Sequence, residues 1–263
     1  MTSRQIATVR VCALPGLILP VLWTASLWWR GMWWHHPLVE GASLVVALAL
    51  LAIVARVGGR ATVGLRRQSP ARHLEVFAGY VTGPMCAILL IATVIQLALD
   101  FAAPVWPEVA AALGELRHPQ PELSIGEHLW RSVYAGVVEE IVVLALPFAA
   151  LRTLTWNGRA VAATGIATAL LVVLRCSYHG WVGATLPAYV VLAWLLVRLY
   201  RRTQLLLPLV LGHILFDVIP LAARMLSVRW QVVAASLMVY ALLWQLVAEW
   251  SRQHRASDVA TVE

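Results

Sequence analysis

The chain has 263 residues, of which 61% are hydrophobic and only 13% are charged, and its mean hydropathy is +0.78. Soluble globular domains carry about 25% charged residues, so this composition excludes a soluble protein and leaves no room for a sizeable soluble domain. The formal charge of +7 does not indicate a nucleic-acid partner, because the cytoplasmic loops of membrane proteins collect basic residues.

Apolar segments predict an all-α fold, a polytopic transmembrane helical bundle of about eight spans that forms a single membrane domain over residues 1–263. The segments are residues 11–29, 38–55, 76–99 and 128–151, a fifth that follows Arg159, and residues 181–197, 205–221 and 230–250. The first resembles a signal peptide, but tryptophans follow it and a small-residue cleavage site does not. We therefore predict that it stays uncleaved, with kinks at Pro15 and Pro20.

The charged residues between these segments predict the orientation of the chain. Residues 56–73 and 198–203 are rich in arginine, which places them in the cytoplasm. Residues 101–127 carry carboxylates and prolines with little positive charge, and we expect them outside. Both termini then lie in the cytoplasm, and every arginine-rich loop falls on the same side of the membrane.

Two adjacent carboxylates, Glu139 and Glu140, lie in the middle of the fourth predicted span. An ionised side chain at the bilayer centre costs about 2.5–3.5 kcal/mol, and two adjacent ones also repel each other. Such a pair indicates a functional site, unless it only lines a wet crevice or bonds to neighbouring helices. Because successive helical residues point about 100° apart, only one of the two can aim at a given atom, and the other would position it or hold a cation.

Arg175 and His179 are four residues apart in the fifth span, so they share a helix face. An arginine in an apolar helix needs a carboxylate partner, and the chain offers Glu139, Glu140 and Asp217. A lone histidine near a helix end would more often be an interfacial residue. Its pairing with an arginine on the same face favours a role in a site.

His213 and Asp217 are also four residues apart, in the seventh span. The aspartate could orient the imidazole or join it as a metal ligand. The alternative is a buried His–Asp pair that has a structural role only. Two histidines and one carboxylate, His179, His213 and Glu139, could also hold a divalent metal such as zinc with an open position for water. The chain has no His-Glu-x-x-His motif, so these ligands would come from separate helices.

These motifs, in this order and spacing, resemble the CPBP family, the CAAX-processing and bacteriocin-processing group of intramembrane endopeptidases that is related to the Ras-converting enzyme. The resemblance covers residues 128–220, which we interpret as the catalytic core. It implies that Glu139 activates a water molecule. The other positions to which it gives a place in the site are Glu140, His179, His213 and Asp217.

The chain departs from the family at two positions. The family's motifs are Glu-Glu-x-x-x-Arg and Phe-x-x-x-His, but Leu144 stands at the arginine position and Arg175 at the phenylalanine position. We predict that Arg175 restores the lost cation from the facing helix and pairs with Glu139, Glu140 or both. Its sequence block, Arg-x-x-Tyr-His-Gly, resembles a variant of bacterial members, which predicts the plasma (inner) membrane of a bacterium.

The resemblance implies hydrolysis of a peptide bond in a membrane-embedded or lipidated substrate, prenylated or not, by water that glutamate and histidine activate, with or without a metal. Two other functions stay open: a non-catalytic regulator or immunity protein of the same family, and a proton- or cation-coupled transporter. For catalysis, Glu139, His179 and His213 must approach one cavity. A count of 1.5 Å per residue puts His179 near the outer end of its span, so either its helix starts deeper or the site opens outward.

Overall fold

A computed structural model describes residues 1–28, 37–108, 124–156, 159–179 and 185–225. Its helices are α1 (Ser3–Cys12), α2 (Pro15–Trp28), α3 (Pro37–Gly58), α4 (Pro70–Ala102), α5 (Ile125–Leu151), α6 (Gly165–Ser177), α7 (Leu186–Thr203) and α8 (Leu207–Met225). Two-residue strands, β1 (Thr155–Trp156) and β2 (Arg159–Ala160), pair antiparallel between α5 and α6. The predicted all-α bundle is confirmed.

The predicted spans up to residue 221 each coincide with described helices. Four segments of the described chain are long and apolar enough to cross a membrane: Ser3–Ala25, Pro37–Gly58, Pro70–Ala102 and Ile125–Leu151. Gly165–Ser177 and Leu207–Ile219 are apolar but shorter. The predicted eighth span and residues 109–123 of the predicted outer loop lie outside the described residues, so the number of crossings stays a prediction.

Several predicted boundaries are wrong because helices continue past the apolar runs. The predicted loop at residues 198–203 is the end of α7, since arginine forms helices well and suits the negative end of the helix dipole. That helix ends only where Gln204 takes a left-handed conformation with φ of 50°. α4 begins at Pro70, inside the predicted loop, where Ser69 caps its first turn. The first span is interrupted directly before Pro15, as predicted, whereas Pro20 lies within α2.

The arginine-rich segments meet at one end of the bundle. Arg66 and Arg152 both donate to Gln204 Oε1, at 2.9 and 3.1 Å. Arg10, in α1, donates through Nε to Thr153 Oγ1 at 2.9 Å. The predicted grouping of the N-terminal helix and these loops on one side is therefore confirmed. That this side is the cytoplasm stays a prediction.

α5 is the central helix of the bundle. All residues from 140 to 149 are buried, whereas the other three segments of spanning length direct most of their residues outward. A capping box between Ser124 and Glu127 begins α5. α8 packs closely against it at Gly136, where a Cβ atom would lie only 2.5 Å from Ile214 Cγ1. This close approach brings His213, the neighbour of Ile214, to the carboxylates of α5.

α3 contributes a buried carboxylate that the sequence analysis did not single out. Glu40 is 1% exposed. Its Oε2 accepts a hydrogen bond from Trp130 Nε1 at 2.5 Å, and its Oε1 lies 3.7 Å from Arg131 Nε. These contacts fasten α3 to the first part of α5, the helix that carries the paired glutamates.

We expect Glu40→Ala to lower the free energy of unfolding by about 1–3 kcal/mol, because the part-buried hydrogen bond from the indole N–H of Trp130 and the buried carboxylate that accepts it are both lost. Glu40→Gln keeps an acceptor and should cost less. The measurement is unfolding of the purified protein in detergent. Glu75→Ala is the control, because Glu75 is exposed and its ion pair with Arg72 is exposed too. Equal effects of the two alanine variants would contradict the prediction.

Candidate active site

The short helix α6 places its end inside the bundle. Its 13 residues extend about 20 Å, less than the thickness of about 30 Å of the hydrocarbon core. Thr24 Oγ1 of α2 donates to the carbonyl oxygen of Ser177 at 2.7 Å, which satisfies a backbone acceptor at the helix end. The next residue, Tyr178, donates through Oη to Glu139 Oε2 at 2.6 Å. This contact puts the end of α6 at the depth of Glu139. Of the two alternatives, it supports a helix that starts deeper and not a site that opens outward.

Arg175 pairs with the paired carboxylates, as predicted. The side chain is buried, and its Nη2 lies 2.7 Å from Glu140 Oε1 and 3.7 Å from Glu139 Oε2. The prediction of a guanidinium that reaches the carboxylates from the facing helix is confirmed. Leu144, at the family's arginine position, is buried among apolar side chains of the core.

A π-helical turn begins at the carboxylate pair. Residues Glu140–Ala145 of α5 form a π-helix between two α-helical segments, and such turns often occur at functional sites. The side chains of Glu139 and Glu140 differ in access: 14% of the first is exposed and none of the second. Glu139 is therefore the member of the pair that a water molecule or substrate can reach, and Glu140 is the anchoring member.

His213 completes the anchor around Glu140. Its Nδ1 lies 2.8 Å from Glu140 Oε1 and 3.2 Å from Arg175 Nη2. One nitrogen cannot donate to a carboxylate and accept from a guanidinium at once, so we assign Nδ1–H as the donor to the closer and charged carboxylate. Nε2 then points to Asp217 Oδ2, which is 3.6 Å away and beyond hydrogen-bond distance.

His179 lies two residues beyond the end of α6 and is oriented by the backbone. Its Nδ1 is 2.7 Å from the carbonyl oxygen of Arg175 and must donate to it. In the neutral imidazole this leaves Nε2 as the acceptor nitrogen. The ring packs between those of Tyr178 and Tyr189, with centroids 4.4 and 4.9 Å away. These contacts hold the ring in one orientation next to Tyr178, which donates a hydrogen bond to Glu139.

The predicted site residues thus come from three helices into one neighbourhood. Arg175, Glu140 and His213 are in direct contact, Asp217 joins through His213, and Glu139 joins through Arg175. The predicted metal ligands do not form a ready set, because the described residues contain no group of three or more His, Cys, Asp or Glu side chains able to hold an ion. The roles of these side chains in catalysis stay predictions.

The site also includes aromatic residues to which the sequence analysis gave no role. Tyr178 belongs to the second motif, and Trp23 of α2 packs edge-on against its ring at 4.9 Å. Tyr80 of α4 is fully buried, with its ring so close to Gly212 that a Cβ there would lie 2.4 Å from Cδ1. The hydroxyl groups of the two tyrosines, which lie in apolar segments, were the signal in the sequence that could have indicated a role in the site. Their contacts with distant segments cannot be read from the sequence.

Several buried polar atoms at the site have no hydrogen-bond partner within the described part of the chain. They are Tyr80 Oη, Glu140 Oε2, and Nε and Nη1 of Arg175. An unpaired buried donor or acceptor costs about 1–3 kcal/mol, and native proteins commonly satisfy such groups with ordered water. The site therefore has the donors and acceptors that a bound water molecule or a substrate peptide group requires.

Comparison with known proteins agrees with this geometry. Residues 121–219 match the family described as type II CAAX prenyl endopeptidase Rce1-like. This segment of the chain is similar to the CAAX protease family. The matched segment contains all three motifs, and the resemblance inferred from them is confirmed. No curated protein and no solved structure matches the chain.

The similarity of residues 121–219 to the CAAX protease family supports the general class of activity. The family consists of intramembrane endopeptidases, so proteolysis by an integral membrane protein is the activity implied for this chain. The apolar helices of spanning length agree with that location. The matched segment begins just before α5 and ends within α8, so it covers the helices that carry the site.

Proposed function

We propose that the protein is an intramembrane endopeptidase that hydrolyses a peptide bond of a membrane-associated protein with a water molecule activated by Glu139 and His179. The observation that carries this proposal is the division of labour within the carboxylate pair. Glu140 is sealed against Arg175 and His213, whereas Glu139 keeps partial exposure beside Tyr178 and the end of α6. Glu139, with 14% of its side chain exposed, is the member of the pair that can exchange a proton with a water molecule that enters the site.

The reaction begins with removal of a proton from water. Glu139 accepts the proton while the water oxygen attacks the carbonyl carbon of the scissile bond, and the carbonyl oxygen becomes an oxyanion. Tyr178 and Arg175 hold the carboxylate in place from two sides. The proton then leaves Glu139 for the amide nitrogen as the C–N bond breaks, and the unprotonated Nε2 atom of His179 can accept it from Glu139 and relay it.

His213 supplies the electrostatic part of this mechanism. With Nδ1–H directed to Glu140, an imidazole that is also protonated at Nε2 has a donor facing Asp217 and the neighbouring space. A donor held in place before the reaction stabilises the developing oxyanion without reorganisation. Asp217, whose Oδ2 lies 3.6 Å from Nε2, would keep the ring oriented.

No step of this mechanism uses a metal, and metal assistance stays a separate prediction. An ion bound by Glu139, His179 and His213 would act as a Lewis acid, but the present arrangement needs rearrangement to form that ligand set. If a metal is required, strong chelators should abolish cleavage and zinc should restore it. The substrate that we propose is a membrane-associated protein, with or without a prenyl group.

Comparative membrane proteomics tests the proposed function. Cells that produce wild-type protein or Glu139→Gln at equal levels are compared for membrane-protein fragments that are missing in the variant. A candidate substrate is then incubated with the purified protein in proteoliposomes. Cleavage by wild type alone supports the proposal. Equal fragment patterns with no cleavage would contradict it and favour a regulator, and proton or cation flux without cleavage would indicate a transporter.

A further inference from the structure

A groove lies between α6 and α7, lined by Gly165, Thr168, Ala169 and Val172 on the α6 side. It encloses a volume of about 850 Å³, within the range of about 300–1,000 Å³ that is usual for small-molecule sites. Its walls are mainly apolar, with Val172 of α6 opposite Val190 and Trp194 of α7. Val190 and Trp194 are both exposed, so the groove is open along its length to whatever surrounds the bundle.

Three arginines of α7, Arg198, Arg201 and Arg202, line one end of this groove. Arg201 donates to Thr168 Oγ1 on the opposite helix. The guanidinium carbon of Arg198 lies 5.2 Å from the centre of the Trp194 ring. None of the described residues that line the groove is acidic. The groove therefore has a basic end and apolar walls along the rest of its length.

We propose that this groove binds an anionic phospholipid of the surrounding bilayer, with its phosphate at the three arginines and an acyl chain along Val172, Val190 and Trp194. Guanidinium groups bind phosphate through paired hydrogen bonds, and basic pockets between membrane helices suit anionic headgroups. The apolar walls of the groove explain why the ligand is a lipid and not a free anion. A free anion would leave those walls without a partner.

Arginines at a helix end can also serve only to orient a membrane protein in the bilayer. That role does not require a groove between helices. Such arginines only need to reach water. Here Arg201 turns across the groove to Thr168, and Arg198 lies over Trp194, so the positive charge is gathered at the groove end. A lipid in this position would contact both helices and stabilise the folded protein, since it binds only that state.

The test is lipid binding and thermal unfolding of the purified full-length protein in detergent micelles with added phosphatidylglycerol or phosphatidylcholine. Phosphatidylglycerol should raise the Tm of wild type, and phosphatidylcholine should not. Arg198→Gln combined with Arg202→Gln should weaken phosphatidylglycerol binding about 30-fold, because each charge near a headgroup contributes about a factor of five. Both side chains are exposed, so this variant should fold.

The matched control is Arg60→Gln combined with Arg67→Gln, which removes the same charge from two exposed arginines of another segment. It should bind the lipid like wild type. Val190→Trp fills the groove without a change of charge and should also weaken binding. The proposal is wrong if the control loses as much affinity as the groove variant, if phosphatidylcholine stabilises equally, or if inorganic phosphate alone gives the same rise in Tm. It is equally wrong if Val190→Trp binds the lipid normally.

Discussion

Glu139→Gln is expected to lower the kcat/KM for peptide cleavage by about 10²- to 10⁴-fold, the usual contribution of a positioned general base. A glutamine side chain cannot take the proton of the attacking water. Its carbonyl oxygen can still accept the hydrogen bond of Tyr178, whose Oη lies 2.6 Å from Glu139 Oε2. The fold should therefore persist, and we expect the Tm of the variant to remain close to that of wild type.

Two further glutamine variants make this result specific. Glu75→Gln alters an exposed carboxylate that pairs with Arg72, and it should leave cleavage and Tm unchanged. Glu140→Gln removes the charge that neutralises Arg175, and it should lower the Tm together with the activity. Cleavage by Glu139→Gln within a few-fold of wild type would show that another group activates the water.

Arg175→Leu is expected to lower the free energy of unfolding by about 3–5 kcal/mol, the usual cost of removing one partner of a buried ion pair. The Glu140 side chain is wholly buried and lies 2.7 Å from the guanidinium. Without Arg175, the described residues leave His213, 2.8 Å away, as the partner that compensates the charge of Glu140. Thermal and denaturant unfolding of the purified protein measures the loss, and cleavage should fall with it.

The double variant Arg175→Phe with Leu144→Arg tests the exchange of positions. Leu144 is one turn beyond Glu140 in the π-helical segment, so an arginine there can reach the pair from the same helix. We expect it to recover part of the stability and activity that Arg175→Phe loses. Strictly additive losses would mean that Leu144→Arg cannot replace the native cation. Arg72→Leu is the surface control and should cost about 0–1 kcal/mol, because its ion pair is exposed.

The membrane class, the positions of most helices and the pairing of Arg175 with the carboxylates followed from the amino-acid sequence alone. Charged side chains in apolar segments cost so much in lipid that they must turn toward one another. Together with the leucine at position 144, where the family motif has an arginine, this cost predicted that Arg175 meets Glu139 and Glu140. The arginine distribution predicted which loops share an end of the bundle, and contacts at Gln204 agree. These results depend on local composition and on general costs of burial, which are properties of the sequence.

Only the tertiary structure decided how the site is organised. That Glu140 is sealed and Glu139 is partly exposed depends on where α8 and the end of α6 pack against α5. Glu40 receives its partners from α5, and Tyr80 reaches the site because Gly212 leaves room for its ring. Such contacts join segments that are far apart in the chain. Their energies depend on the packing of several helices at once, and no local pattern encodes that packing.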